Sequence, residues 1–206
     1  MNTFKLQPVD ILVNVNDRKD PYSIIKRWAV GPYEHVFLYL GMLRLFTGRG
    51  QERVIKVPML FESIGRGVVL RSLSERYSEK VVVMRLKSEH DRRRIPQVLV
   101  GAIELASAPE SYYDYLCIVR FALPRLICEK LRLPMPLKYA RNPAMICSEA
   151  CAEVFDRAKL PDILRFRTRV PLPGDFVTDS PLLGEVWRGT LSEELVSLER
   201  HTEQRA

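Results

Sequence analysis

The stretch Tyr33-Glu34-His35-Val36-Phe37-Leu38-Tyr39-Leu40-Gly41 carries the pattern of an extended chain. Side chains alternate between the two faces of a strand, so Val36, Leu38 and Leu40 share one face and His35, Phe37 and Tyr39 share the other. The first set is uniformly aliphatic and belongs in the deeper core. The second is amphipathic and suits the floor of a groove. Gly41 is expected to close the strand. Taken alone, His35 reads first as a hydrogen-bonded residue of a sheet face, so a functional meaning depends on its surroundings.

Upstream, residues 9–15 also alternate, with Val9, Ile11, Val13 and Val15 opposite Asp10 and Asn14, as in a half-buried strand. A polar turn at 16–20 leads to Pro21 at a first helical position, and Gly31-Pro32 ends that short helix. Downstream, a turn at 48–51 precedes expected strands at 60–64, 68–71 and 81–86, with Gly65 and Gly67 marking a reversal. Residues 88–108 become helical, with Val98, Ala102, Leu105 and Ala106 as the buried face and Pro96 starting or kinking it. A second helical stretch is expected at 114–128, an irregular connection at 133–142, a helix at 147–158 and a proline-rich closing segment at 171–187. The pattern describes one α+β domain over residues 1–206, an antiparallel sheet packed on helices.

The chain has 206 residues, 47% hydrophobic and 28% charged, which suits one folded domain. No run approaches the roughly 20 apolar residues of a membrane span. The first ten residues lack a secretory apolar core. The expected location is therefore the reducing cytoplasm, where the four cysteines stay free. With 32 Lys and Arg against 25 Asp and Glu the net charge is +7, which favours anionic partners. Arg92-Arg93-Arg94 and the basic residues of 120–141 are read first as solvated faces and second as an anionic lipid surface. No nucleic-acid signature accompanies them, so nucleic acid is not expected as a partner.

Two further islands join His35. In Phe61-Glu62-Ser63-Ile64, the carboxylate of Glu62 interrupts an apolar run. If that strand pairs with the His35 strand, Glu62 is placed to accept the second imidazole N–H, fixing the tautomer and stabilising an imidazolium. In Met145-Ile146-Cys147-Ser148-Glu149-Ala150-Cys151, Cys151 falls with Val154, Phe155 and Ala158 on a core face. Cys147 lies instead where an extended approach, stiffened by Pro143, meets the first helical turn. Backbone N–H groups there lower a thiol pKa and can hold an oxyanion. A thiol at a helix start, a histidine on a strand and a carboxylate behind it make a cysteine-type triad.

The order of these islands resembles the YiiX-like group of permuted NlpC/P60 (papain-like) proteins. The residues carrying the resemblance are Asp10-Ile11-Leu12, His35 to Gly41, Glu62 with Gly67-Val68, Tyr113-Asp114-Tyr115, Cys147-Ser148-Glu149, Pro173-Gly174-Asp175 and Ser180-Pro181. It covers roughly residues 9–187. It implies a circularly permuted papain-like fold, with Cys147 as nucleophile, His35 as general base and Glu62 as the orienting third member. Glu34 departs from the small hydroxyl residue usual in that group, and Val9 from a glycine. Glu34 thereby places a second carboxylate beside His35.

The three histidines, His35, His90 and His201, have no metal-ligand spacing, and the cysteines form no C-x-x-C pair. No phosphate-cradling glycine loop and no G-x-S-x-G elbow occur. Neither cofactor nor metal is expected. The expected activity is acyl transfer through a Cys147 acyl-enzyme, acting on an amide, ester or thioester of a small peptide or acyl-containing substrate. The rival expectation is a non-catalytic module that binds a peptide, amino acid or lipid in the same groove.

Overall fold

Ile11–Val15 form β1, which lies inside an antiparallel sheet with Tyr33–Thr47 (β2) on one side and Lys80–Leu86 (β5) on the other. Arg53–Ile64 (β3), Gly67–Ser72 (β4) and Leu183–Thr190 (β6) complete the order β4-β3-β2-β1-β5-β6. In this computed structural model the described residues are 4–17, 31–47, 53–65, 67–108, 123–133, 145–164 and 170–196. The expected helix after Pro21, the turn at 48–51, Tyr113 to Tyr115, residues 134–142 and Pro143 lie outside them.

Both faces of the sheet are covered. On one side Ile11, Val13, Val36, Leu38, Phe61, Val82 and Met84 meet the helices α2 (Ile95–Ser107) and α4 (Cys147–Arg157) through Val98, Ala102, Leu105, Val154 and Phe155. On the other, Leu12, Phe37, Tyr39, Leu60, Val81 and Val83 are covered by Leu6, Leu73, Leu191 and Val196. Strand β1 is therefore central and buried on both faces, not half-buried, and Val9 sits before it with φ 71. Phe37 and Tyr39 likewise lie under the second layer, at 0% and 2% exposure, rather than on a groove floor. A strand between two layers needs apolar residues on both sides, which is why the alternation of β1 and β2 is incomplete.

Gly41 does not end β2. The β2–β3 register slips between Tyr39 and Gly41, and Gly41 takes φ 96 in that bulge, where an added Cβ would stand 3.2 Å from Pro8 Cγ. The glycine absorbs the extra residue and lets the strand run on to Thr47. Beyond β5, the expected helix over 88–108 is two pieces, α1 (Glu89–Arg92) and α2, with Pro96 in the first turn of α2, where a missing N–H removes no bond. Helix α3 (Leu123–Leu131) is the described part of the stretch expected at 114–128. The closing segment holds α5 (Asp175–Thr178) and then the edge strand β6, which the sequence reading passed over. Most β6 residues after Leu183 are exposed or half-buried, so burial imposes no clear alternation on them. Among the described residues no helix is long and apolar enough to cross a membrane.

Candidate functional site

His35 stands beside a bulge. Asn14 pairs with His35 and Val15 with Tyr33, so Glu34 is the extra residue on β2. Such bulges re-aim neighbouring side chains and often lie next to functional sites. On the other side, the β2–β3 ladder reaches Leu38 and Phe61. Continuing that register, Glu62 is level with Phe37 and diagonal to His35 on the same face, within reach of long side chains. His35 Nε2 and Glu62 Oε2 are 2.8 Å apart.

Glu62 is fully buried, and its carboxylate gathers three cations. Besides His35, it accepts from Arg76 Nη2 at Oε2 and from Arg71 Nη1 at Oε1, 3.2 Å away. Burial pushes its pKa up, but His35 and Arg76 outweigh that and hold it below the usual carboxylate range. The arginines escaped the sequence reading. An acid in an apolar strand demands counter-charge, and Arg71 on the neighbouring strand was the visible candidate.

Cys147 opens α4, after Ile146 in an extended conformation with ψ 167. The Ile146 N–H donates to Glu149 Oε2 at 2.8 Å, so Glu149 caps the helix start. Ser63 Oγ donates to the Met145 carbonyl at 2.7 Å, pinning this approach to β3 just past Glu62. Ser148 Oγ donates to the Pro171 carbonyl at 2.6 Å and ties the helix start to the closing segment. The thiol thus arrives where β2 and β3 cease to pair with each other. There the His35 side chain and the backbone N–H groups of Val36 and Ser148 favour its thiolate form.

Burial resists charge on both partners, yet each favours the charge on the other. The His35 pKa is raised to about 9, against burial, by the Cys147 thiolate and by Glu62. The Cys147 pKa is lowered, again against burial, by the imidazolium and the two backbone N–H groups. With Nε2 held by Glu62, Nδ1 is the ring nitrogen left for the sulfur. Cys151 behaves differently: burial, then the charges of Cys147 and Glu62, raise its thiol well above the usual range. It packs in the core, as expected.

The structure therefore brings the three residues singled out in the sequence, His35, Glu62 and Cys147, into one chain of contacts. Beside them lies an open cleft of about 280 Å³, lined by Asn14, Glu34, His35, Arg76, Glu79 and Lys80 among others. Glu34, the departure beside His35, faces this cleft. Asp10 has a different task. It is 1% exposed and accepts two bonds from Arg85, each 2.7 Å, and one from the Gln7 N–H at 2.8 Å. That fork ties the N-terminal segment to β5. Of the closing segment, Asp175 Oδ2 accepts the Leu172 N–H at 2.8 Å, and Gly174 lies so near Tyr33 that a Cβ would be 3.1 Å from its ring.

No family model matches the chain, and no curated protein matches it. A solved structure, metalloprotein yiiX from Escherichia coli O157:H7, is similar with a TM-score of 0.50 and 15% identity, over 91% of this chain and 100% of that chain. At that identity the likeness concerns the fold, an α+β chain with a six-stranded antiparallel sheet.

Proposed function

We propose that this chain is a cysteine-type hydrolase or acyltransferase of the permuted papain-like (NlpC/P60) kind, working through a Cys147 acyl-enzyme. The observation that carries the reading is the contact chain Cys147–His35–Glu62, with the thiol at a helix start. The Cys147 thiolate attacks a carbonyl carbon, and the backbone N–H groups of the first turn of α4 stabilise the oxyanion that develops. The His35 imidazolium gives its proton to the departing amine, alcohol or thiol. The neutral imidazole then takes a proton from water or an acceptor amine, which releases the acyl group. Glu62 keeps the ring in the productive tautomer throughout. The neighbour yiiX is described as a metalloprotein. Here His35 and Glu62 bond to each other, and among the described residues no three His, Cys, Asp or Glu side chains are grouped to hold a metal ion. The described residues of this site therefore do not fit a metal.

Substrates with an amide, ester or thioester bond in a small peptide or acyl compound suit this chemistry. An anionic lipid surface matches the net charge of +7. Activated acyl esters offered to the protein should add one acyl mass on Cys147, seen by intact and peptide mass spectrometry. Acylation elsewhere, unchanged in Cys147→Ala, would end the proposal. A second reading, a non-catalytic binding module on the same fold, is favoured by the burial of Cys147 at 5% exposure. It predicts ligand binding with no acyl adduct.

A further inference from the structure

We propose that Arg76 is a positioning residue for His35, holding the Glu62 carboxylate from behind so that it stays an orienting anion through the whole reaction cycle. The inference deepens the hydrolase reading and rests on it. Arg76 ends the single 3-10 turn Leu73–Arg76 that follows β4. Its guanidinium is fixed on three sides. Nη2 donates to Glu62 Oε2, the same oxygen that faces His35. Nη1 donates to Glu79 Oε1 at 2.9 Å. The guanidinium carbon lies 5.6 Å from the centre of the Phe37 ring, which in turn is 5.8 Å from the His35 ring.

The chemistry requires such a cation. Glu62 is 0% exposed, and a buried carboxylate without counter-charge takes up a proton. His35 supplies counter-charge only while it is an imidazolium. After it has given its proton to the leaving group it is neutral, and Glu62 would then compete for the next proton. Arg76 cannot deprotonate, so its charge remains when that of His35 is gone. Arg71 is the weaker helper. Its contact with Glu62 is 3.2 Å, its side chain is 32% exposed, and it is shared with Glu75. Glu79 completes the device by fixing Arg76 from the far side.

The test is a carbon-resolved NMR titration of His35 in the Cys147→Ala protein, with the signal assigned by its loss in His35→Gln. Removing a nearby cation makes the last proton of the His35–Glu62 pair harder to release. Arg76→Gln should therefore move the His35 midpoint up by about half a pH unit or more, and Arg76→Lys should restore part of that shift. An unchanged midpoint in folded Arg76→Gln overturns the proposal. If Arg76→Gln does not fold, Glu79→Gln serves instead. Loss of that anion should move the midpoint down, and an unchanged midpoint again overturns it. The readout needs no active thiol. A shifted midpoint together with an unreactive Cys147 in the otherwise native chain would end the hydrolase reading and leave the Arg76–Glu62–His35 linkage standing.

Discussion

Glu62 Oε2 accepts the Nε2–H of His35 across 2.8 Å, and this bond decides which ring nitrogen meets Cys147. Strands β2 and β3 pair as far as Leu38 and Phe61, and the two side chains meet just beyond that last pair. The Nε2–H tautomer leaves Nδ1 for the sulfur, so the carboxylate acts on the thiol through the orientation and charge of the imidazole.

Glu62→Gln should lower the His35 pKa, since the paired anion is gone. It should also leave Arg71 and Arg76 without their buried carboxylate, at a cost of about 3 kcal/mol. Urea denaturation measures the second effect and NMR titration the first. A variant as stable as the parent would show that the buried cluster contributes no net stability.

The pH dependence of stability has a definite sign. His35 is raised from 6.5 to about 9, so its contribution is full below 6.5 and is lost as pH rises through 9. Cys147 is lowered from 9.0, so its contribution is full above 9.0 and is lost as pH falls through its folded value. At any pH above both 6.5 and the lowered folded value of Cys147, and below about 9, the folded pair holds one proton, on the imidazole, and the unfolded pair holds one, on the thiol, so the slopes cancel. Below 6.5 the unfolded state takes a second proton, and stability should fall by up to about 1.4 kcal/mol per pH unit until the pH reaches the lowered folded value of Cys147. His35→Gln leaves a buried thiol that stays protonated, and this component of the acid slope should vanish. Equal slopes in the two proteins just below pH 6.5, read from urea midpoints, would contradict the ion pair.

Ser148→Ala should cost about 1 kcal/mol, because the Pro171 carbonyl loses its donor. Hydrogen exchange should rise in the first turn of α4 and around residues 170–175. A loss of stability without that local change would place the effect elsewhere.

Asp10→Asn breaks the two-bond fork to Arg85 and should cost about 3 kcal/mol. Among the described residues the Asp10 carboxylate bonds to Arg85 and to the Gln7 N–H, not to Cys147, His35 or Glu62. The pH profile of Cys147 alkylation should therefore match the parent's, and a shifted profile would bring Asp10 into the site.

The legible part of the sequence was the part governed by local periodicity. Val36, Leu38 and Leu40 marked β2, Val154 and Phe155 marked the buried face of α4, and Cys147 fell at its first turn. What was not legible depends on register between distant segments. The bulge at Glu34 and the one beside Gly41 exist only relative to β1 and β3. Arg76 follows Glu62 by fourteen residues along a strand and a turn, a separation at which no periodicity links them. Strand β6 is an edge with few buried side chains, so its sequence carries little pattern.

The central claim is that Cys147 is an ion-paired thiolate beside His35. Its most direct test is the labelling rate of Cys147 by a thiol-reactive alkylating probe at pH 6, read by peptide mass spectrometry against the half-buried Cys128 of the same chain. An ordinary thiol is under about 1% ionised at that pH, whereas the paired one should react at least about tenfold faster even after allowing for its lower intrinsic nucleophilicity. Rapid labelling is expected at Cys147, disappearing in Cys147→Ala and slowing strongly in His35→Gln. Labelling of the Cys147→Ala protein equal to that of the parent would contradict it.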